Sequence, residues 1–596
     1  MKTTIFFIVT LLFSSSLLLR AQEKKDSLYY KIEEFSDKRK FTKFVHRFIF
    51  RREADSVSVE SWEKIPEQEV YDGKTIRNIT VQTVDPFGYS KNEERIDAKW
   101  YDRVADRIHI DSKPSTIKNY LLFRKGEPYN AQKIYESERI LRSMPFINRV
   151  NISIEENEDA KSVDILIKVL DSWSLKPSMS YSNGETGFGL TEQNLLGLGH
   201  EIDLGYTYNS RDKQNHLYGR YTAYNLYRTF INANISGEKD FFDNERISLS
   251  ATRDFFSPLT RWAGGFQFEY FKRRVLLPNF TEVFSEVQIK VYRQDLWGGY
   301  QFPVFISDGK ISRNIALLGR IQNYQYKDRP EQDQLGFFRA SNSFLASAMY
   351  NERKFSVQKN IFQYDLPEDI PYGKSFGFTV GALNRGNKPI PYAGLSASVG
   401  SFINWGYFNV KTEFGRFFNG ETQRDAFRLE GTYFTPLQNW KFAQVRHFFS
   451  PTWAIGTPRY HYSYHDRINL SSPLEFPAYS GDYIGTEKLV FRYQLQMFIN
   501  KTWKNFHFSP YATAAFGWLS QNGNSLFNSG THSKFGIGVL INNPYLVFNR
   551  IQVSLMYYPK VPMGNDSVFE FNGYRNDNFP MQSFATDVPH FVNFGN

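Results

Sequence analysis

Two histidines, His461 and His465, lie four residues apart in the segment "HYSYH", a spacing that can hold a metal ion. Two imidazoles with this spacing converge only on a helix, where residues i and i+4 share a face. The surrounding tyrosines favour a strand or a loop instead. The remaining histidines are scattered and the chain of 596 residues has no cysteine, so we predict no metal site and no cofactor.

Local motifs of common enzymes give no stronger signal. The sequence contains no Walker loop and no H-E-x-x-H. Asp and Glu are plentiful, but no pair stands out as a general acid and base. A hydrolase whose Ser-His pair is assembled from distant strands would leave no local motif and remains an alternative. We predict that the protein is not an enzyme.

A different kind of pattern lies in "ERILRSMPFINRVNISIE", residues 138–155. Here the end of an amphipathic helix runs into a strand in which Val150, Ile152 and Ile154 alternate with Asn151 and Ser153. The period of two predicts a half-buried strand with one apolar and one polar face.

This strand belongs to a compact unit that we place at residues 71–172. The segment "IRNITVQTV" alternates as a strand, and "NEERIDAKWYDRVADRIHI" and "KPSTIKNYLLF" have helical spacing. The next helix, "AQKIYESERILRSM", ends before Pro145. "INRVNISIE" and "SVDILIKVLD" then complete the order strand, helices, strand, strand. This order predicts a small α+β domain with helices on one face of a sheet.

Residues 173–596 alternate over most of their length, as in "RISLSAT", "FINANISG", "AGLSASVG" and "GFQFEYF". Phe, Tyr and Trp make up 17% of the chain, yet its mean hydropathy is only −0.48. Apart from the N-terminal run, no segment approaches the roughly 18 to 20 apolar residues of a membrane helix. These features predict a transmembrane β-barrel, with apolar residues facing lipid and polar residues facing the lumen. About 16 antiparallel strands fit the length, although 14 or 18 would also fit.

The N-terminus reads as an export signal followed by a basic segment. Residues 1–21 have a lysine, an apolar run and a small residue at a cleavage position, which predicts a signal peptide rather than a retained anchor. Residues 22–70 are predicted to form a basic amphipathic helix and a linker. Between residues 22 and 52 there are ten Lys and Arg against five Asp and Glu. This helix would lie on a phospholipid surface or dock against the next domain.

The phrase "LLFRKGEPYN" together with "ESERILRSMPFINRVNISIEENEDAKSVDILIKVLDSW" resembles a POTRA domain. POTRA domains are the periplasmic modules of the superfamily that includes BamA, TamA and FhaC, the bacterial surface antigen family. "GFGLTEQNLLGLGHEIDLGYTYN" resembles the start of that family's barrel, and "FGIGVLINNPYLVFNRIQVSLMYY" resembles its penultimate hairpin. A generic α+β domain is the alternative for the first unit alone.

The resemblance implies an outer-membrane protein of a Gram-negative bacterium that inserts or exports other polypeptides. An unfolded client would add as a strand to the POTRA edge. The barrel would have its weak seam between a first strand at residues 174–182 and a last strand at residues 590–594. The predicted docking residues are Ile147, Val150, Asn151, Ile152, Ser153 and Ile154.

The sixth loop departs from the family pattern. "NLSSPLEFPAYSGDY" lacks the family's Arg-Gly-aromatic tip, which puts the usual lock between loop and lumen in doubt. Gly481, Asp482 and Gly485 are nevertheless in register with the family and are our candidate residues for this region.

Several functions remain open at this stage. The protein is an insertase, an exporter of one dedicated client whose N-terminal helix plugs the pore, or a passive porin. Expected partners are unfolded outer-membrane or secreted polypeptides and outer-membrane lipid. Periplasmic or lipoprotein accessory subunits are a further expected class. We expect no nucleic-acid partner, because no recognition motif occurs.

Overall fold

The protein is described from a computed structural model. The residues that the structure describes are 68–84, 110–156, 161–182, 184–278, 284–304, 312–328, 333, 338–385, 389–418, 425–456, 468–472, 474–479, 483–503, 506–520, 525–542, 551–562, 567–572, 575–577 and 579–592. The predicted signal peptide, nearly all of the basic segment, His461 and His465 lie outside these residues, as does most of the helix predicted near residues 91–110.

The N-terminal domain is a three-stranded sheet covered by helices. Its strands are β1 (Thr75–Val84), β2 (Ile147–Glu156) and β3 (Ser162–Asp171), and its helices are α1 (Pro114–Asn119) and α2 (Ala131–Arg142). The sheet order is β1-β3-β2, with β1 parallel and β2 antiparallel to β3. The two strands predicted at its C-terminal end and the helix before them are confirmed.

Local sequence explains the limits of α2. Asn130 caps the helix, because its side chain accepts a hydrogen bond from the Lys133 amide. The helix buries Ile134, Ser137 and Leu141 on one stripe. Ile134 and Leu141 meet the inward faces of β2 and β3 in one apolar core.

The rest of the described chain forms a closed antiparallel barrel of 20 strands, counting β17 and β18 as one because both pair with β19. The prediction of about 16 strands is therefore wrong. It assumed longer connections than the chain has: only two residues separate β4 from β5 and β15 from β16. The segments are β4 (Leu175–Ser182), β5 (Glu185–Leu195), β6 (His200–Asn209), β7 (Gln214–Ala223), β8 (Asn232–Lys239), β9 (Glu245–Arg253), β10 (Trp262–Pro278), β11 (Phe284–Val304), β12 (Arg313–Asp328), β13 (Ser341–Gln358), β14 (Glu368–Arg385), β15 (Pro389–Ile403), β16 (Gly406–Phe417), β17 (Asp425–Phe434), β18 (Gln438–Asn439), β19 (Ala443–Gly456), β22 (Glu487–Ile499), β23 (His507–Ser520), β24 (His532–Asn542), β25 (Ile551–Tyr558) and β26 (Val568–Phe571). Between β19 and β22, the short strands β20 (Ile468–Asn469) and β21 (Ile484–Gly485) form a separate small sheet.

Side-chain alternation in the barrel follows the prediction. Large apolar residues such as Ile247, Leu249 and Phe266 point outward and are exposed. The lumen face carries polar and charged groups, among them Asp295, whose carboxylate accepts hydrogen bonds from Arg320. An outward apolar band around a polar interior is the arrangement that lipid and water impose on a spanning barrel.

No helix among the described residues is both long and apolar enough to cross a bilayer.

Candidate functional site at the barrel seam

The first and last barrel strands, β4 and β26, meet along a short seam. In the described chain they pair at two positions, Ser182 with Glu570 and Tyr181 with Phe571. On its other side, β4 pairs with β5 over all eight of its residues. From Pro177 to Ser180, the ladder partners of β4 within the described chain therefore lie only in β5.

Local sequence accounts for the weak pairing. Pro177 has no backbone N–H, and proline in sheets is confined mainly to edge strands and bulges. On the other side of the seam, β26 is only four residues long. It ends at Phe571. The next residue, Asn572, has a φ of 55° and so leaves the extended conformation. Both faces of β4 are exposed from Lys176 to Tyr181.

The first strand is where the sequence predicted it, but the last strand is not. Residues 590–592 are not in a strand, and the chain closes the barrel with β26 some 20 residues earlier. The aromatic residues near the C-terminus suggested a membrane strand because they resemble its usual end. In the structure, Phe591 instead packs against Tyr392 and Phe417 on the lumen side of the wall.

All six predicted docking residues lie in β2, an edge strand of the N-terminal sheet. Three are buried in the domain core and a fourth packs against it. The remaining two lie on the other face of β2 and are half-buried. The buried residues are Ile147, Val150 and Ile152, the fourth is Ile154, and the half-buried pair is Asn151 and Ser153.

The opposite edge of this sheet, β1, is partly covered by the chain itself. The amide of Ile76 donates to the carbonyl of Glu127 at 3.0 Å, and the amide of Gly126 donates to the carbonyl of Ile76 at 2.8 Å. The amide of Tyr129 donates to the carbonyl of Lys74 at 2.7 Å. This added segment covers the start of β1, at Thr75 and Ile76.

The N-terminal domain is fixed to the barrel by charged groups from α2. Arg142 forms a two-pronged ion pair with Asp369 of β14, with both distances 2.9 Å. Arg139 donates to the carbonyl of Phe256, in the turn between β9 and β10, at 2.9 Å. Burial alone would lower the pKa of Arg142, but its bonds to Asp369 raise it overall. Burial raises the pKa of the neighbouring Glu138.

A turn between β5 and β6 makes the second attachment. Thr116 donates to the carbonyl of Gly197 at 2.8 Å, and Asn194 donates to Ser112 at 3.0 Å. Gly199 lies against the ring of Phe146, and a Cβ there would come within 2.8 Å of it. The "NLLG" turn that marks the start of the barrel in the sequence is thus the contact surface for the N-terminal domain.

The family model "Surface antigen variable number repeat", the POTRA model, matches residues 110–170. That range includes α1, α2, β2 and β3 and ends just before the first barrel strand. Residues 110–170 therefore belong to a POTRA domain, which the structure joins to a closed β-barrel.

Solved structures with a similar fold include CdiB from Escherichia coli, at 10% identity over 93% of this chain and 99% of that chain, with a TM-score of 0.40. CdiB from Acinetobacter baumannii matches at 11% identity over 84% of this chain and 73% of that one, with a TM-score of 0.37. BamA from Haemophilus ducreyi lacking POTRA domains 1–3 matches at 13% identity over 84% of each chain, with a TM-score of 0.33. No curated protein matches the chain.

Loop six is the connection at residues 457–486. Among its described residues, 474–479 pack into the lumen, although the loop lacks the arginine of the family's tip. Glu475 forms an ion pair of 2.9 Å with Lys488 of β22, and both side chains are less than one-tenth exposed. Arg492 of β22 donates to the carbonyl of Leu474 at 3.0 Å. Phe476 fills the space above Gly517, where a Cβ would approach its ring to 2.7 Å. In this contact the acidic side chain, Glu475, belongs to the loop, and the basic side chains, Lys488 and Arg492, belong to the barrel wall.

Of the three candidate residues in loop six, only Gly485 is among the described residues. It lies in β21, opposite Ile468, and a Cβ there would overlap the carbonyl oxygen of Ser520. Its role is therefore to allow close packing of the loop on β23. Gly481 and Asp482 lie outside the described residues.

Two further features of the structure were not predicted from the sequence. The pentapeptide Gly373–Gly377 matches G-x-S-x-G, but Ser375 lies within β14, where its hydroxyl donates to Asn351 at 2.7 Å. A nucleophile elbow requires a strand-to-helix turn instead. The other feature is the course of residues 575–592 through the lumen, for which no periodic pattern gives a signal. Among the described residues no cluster of His, Asp and Glu is arranged to hold a metal ion.

Proposed function

We propose that the protein inserts unfolded polypeptides into the outer membrane by pairing their strands with the open part of β4. The observation that carries this proposal is the difference between the two sides of β4. Among the described residues, β4 pairs over two residues with β26 and over eight with β5. Each backbone hydrogen bond contributes about 0.5–1.5 kcal/mol net. The seam is therefore the place where the barrel opens at the lowest cost.

The POTRA domain would receive the client first. An extended client segment adds to the edge of a sheet through main-chain hydrogen bonds, which depend little on its sequence. We assign this role to β2, with its apolar face already buried in the domain core and its polar face directed away from that core.

Transfer from β2 to the seam would be short. β3, the neighbour of β2, ends at Asp171, and β4 begins at Leu175. The Arg142–Asp369 ion pair and the turn at Gly197 hold the POTRA domain against the barrel turns. No nucleotide is required in this scheme, because strand pairing and burial of the client release the free energy that drives it.

Occupation of the lumen favours this function over a passive porin and over a permanently open exporter. In the described chain, Phe476 and Tyr479 of loop six pack within the barrel, and residues 575–592 cross its inner wall. Partners under this proposal are unfolded polypeptides and lipid. Periplasmic or lipoprotein accessory subunits would assist delivery.

A disulfide across the seam tests the proposal in a chain that has no native cysteine. Tyr181→Cys with Phe571→Cys places two thiols on directly paired residues, whose Cα separation suits a disulfide. Proteoliposomes containing the oxidised protein should lose their acceleration of the folding of an added eight-stranded outer-membrane barrel. Reduction should restore it.

Leu249→Cys with Phe268→Cys is the matched control, since these residues also face lipid and pair directly across β9 and β10. Oxidation of this pair should leave client folding unchanged. If the oxidised seam pair accelerates client folding as well as the reduced form, the seam is not the site of insertion.

A further inference from the structure

The C-terminal segment, residues 575–592, follows the seam strand and then runs across the inner wall of the barrel. Its contacts pass from β22 through β19, β17, β16 and β15 to β13 and β12. The contact residues on the wall are Gln494, Phe448, Thr432, Asn409, Gly400, Asn351 and Arg320. In the described chain the segment forms no ladder with any strand, so its release would leave every barrel strand pair intact.

The wall holds the segment through its main chain as well as through side chains such as Asn576, Thr586 and His590. Gln494 donates to the carbonyl of Asn576 at 2.9 Å, and Thr432 donates to the carbonyl of Pro580 at 2.9 Å. Arg320 donates to the carbonyl of Pro589 at 2.8 Å. At the far end, the amide of Val592 donates to the hydroxyl of Tyr392 at 2.8 Å. Carbonyl and amide groups occur in every polypeptide, so these contacts do not depend on this particular sequence.

Three phenylalanines of the segment fill apolar recesses in the wall. Phe579 stacks on Phe362 and packs against Phe448. Phe584 lies over Gly400, where a Cβ would overlap its ring. Phe591 sits between Tyr392 and Phe417, with ring centroids 4.8 and 5.0 Å away. These recesses suit any extended chain that carries aromatic residues at intervals, which is typical of outer-membrane strands.

The ionic contacts of the segment are partly solvated. Lys411 of β16 lies 3.2 Å from Asp587, whose side chain is about half exposed. His590 lies 3.0 Å from Glu413 and is 41% exposed. Solvated ion pairs contribute little free energy to binding. These two pairs therefore help to orient the segment but add little to its affinity for the wall.

We propose that this stretch of the lumen wall is a binding site for an extended polypeptide, and that the C-terminal segment is its resident occupant, which a client displaces. The inference rests on the proposed function only for the identity of the displacing ligand. The site lies close to the seam in the chain, because Asn572 follows β26 directly and bonds Ser554 of β25 through both its amide and its side-chain oxygen.

A fluorescent synthetic peptide with the sequence of residues 575–592 tests the site by anisotropy in detergent. The protein ended after Asn572 should bind it, and the full-length protein should bind it at least 100-fold more weakly. A tethered copy is present at an effective concentration of millimolar order and competes with the free peptide. A peptide in which serine replaces the three phenylalanines that fill the recesses, Phe579, Phe584 and Phe591, should bind the shortened protein at least tenfold more weakly.

Thr432→Val in the shortened protein removes one carbonyl contact and should weaken peptide binding about fivefold. Thr412→Val is its matched control, because this residue lies on the outer face of β16. Absence of binding to the folded shortened barrel, or equal binding to both lengths, would overturn the proposal. Neither result bears on the seam disulfide, so failure of the two proposals can be told apart.

The full-length chain provides a second test if the shortened barrel does not fold. Asn351 and Thr586 are joined by a hydrogen bond of 2.7 Å, so Asn351→Cys with Thr586→Cys can lock the segment in place. Planar bilayers containing the reduced form should show intermittent large openings that oxidation abolishes. Identical conductance traces in the two redox states would contradict release of the segment.

Discussion

Loop six offers the sharpest quantitative test, because its lock depends on one buried ion pair. The side chains of Glu475 and Lys488 are 6% and 3% exposed, and the Lys488 ammonium also donates to the carbonyl of Asn469 at 3.2 Å. Lys488→Met keeps the volume of the side chain but leaves the carboxylate buried without its partner. Breaking a buried pair in this way costs about 3–5 kcal/mol.

This cost should appear as detachment of the loop from the wall. Each 1.4 kcal/mol changes an equilibrium tenfold, so the open fraction of the loop should rise by a factor of about 100 to 4,000. Ala515→Cys reports this opening, since residue 515 is fully buried in the wall beneath the loop and the chain has no other cysteine. Its rate of maleimide labelling should rise with the open fraction while closure remains fast.

The double variant Glu475→Leu with Lys488→Met serves as the control. Replacing both members of a buried pair by apolar side chains is often neutral or stabilising. The labelling rate of the double variant should therefore lie within about threefold of the rate in the protein that keeps both Glu475 and Lys488. Labelling of the single Lys488→Met variant at the parental rate would refute the reasoning. So would equal acceleration in the single and double variants, because the effect would then not come from an uncompensated charge.

Three further predictions concern other parts of the molecule. Asn151→Pro or Ser153→Pro in β2 removes a backbone donor and should reduce client transfer severalfold in a folded protein, whereas Ser153→Thr should not; transfer that survives both prolines would exclude β2 as the docking edge. Asp369→Asn should speed hydrogen exchange of α2 at least tenfold, because Arg142 loses its charged partner on the barrel and keeps only Glu138 of its own helix. Unchanged exchange would show that the ion pair does not hold the POTRA domain. The bond to Glu413 raises the pKa of His590. The charged form of His590 therefore stabilises the docked segment fully below the ordinary pKa of about 6.5, and this stabilisation is lost as the pH rises through the raised pKa. Openings in planar bilayers should therefore be more frequent at pH 8.5 than at pH 6, and His590→Gln should flatten this dependence. A pH dependence that survives His590→Gln would show that His590 does not produce it.

The POTRA domain was largely predictable from the sequence because its signals are local. The stripe of Ile134, Ser137 and Leu141 and the alternation of β2 and β3 each fall within a dozen residues, and Pro145 ends the helical pattern. What the sequence could not give was the position of the domain under the barrel. Arg142 and Asp369 are 227 residues apart, and nothing in either neighbourhood indicates the other.

For the seam, too, one part was predictable from the sequence and the other was not. The start of the barrel was predicted correctly, because "NLLG" marks a turn at a fixed place after the first strands. Its end was placed at residues 590–594 because aromatic residues near a C-terminus are typical of a closing strand. The chain instead ends the barrel at Phe571, where Asn572 turns out of the sheet, and the later aromatic residues fill recesses in the lumen wall.

The sequence by itself determined the class of each segment: the alternation that faces lipid on one side and lumen on the other, the helices that cover the POTRA sheet, and the lack of cysteine. These follow from the period of side chains along a strand or a helix, which any short window reveals. The tertiary structure alone decided the number of strands, the weak seam, the reversed charges of the loop-six lock and the occupation of the lumen. Those properties depend on how the barrel closes and on which distant residues then share its interior. The barrel closes only when every strand pairs in register, so no single segment of the sequence determines them.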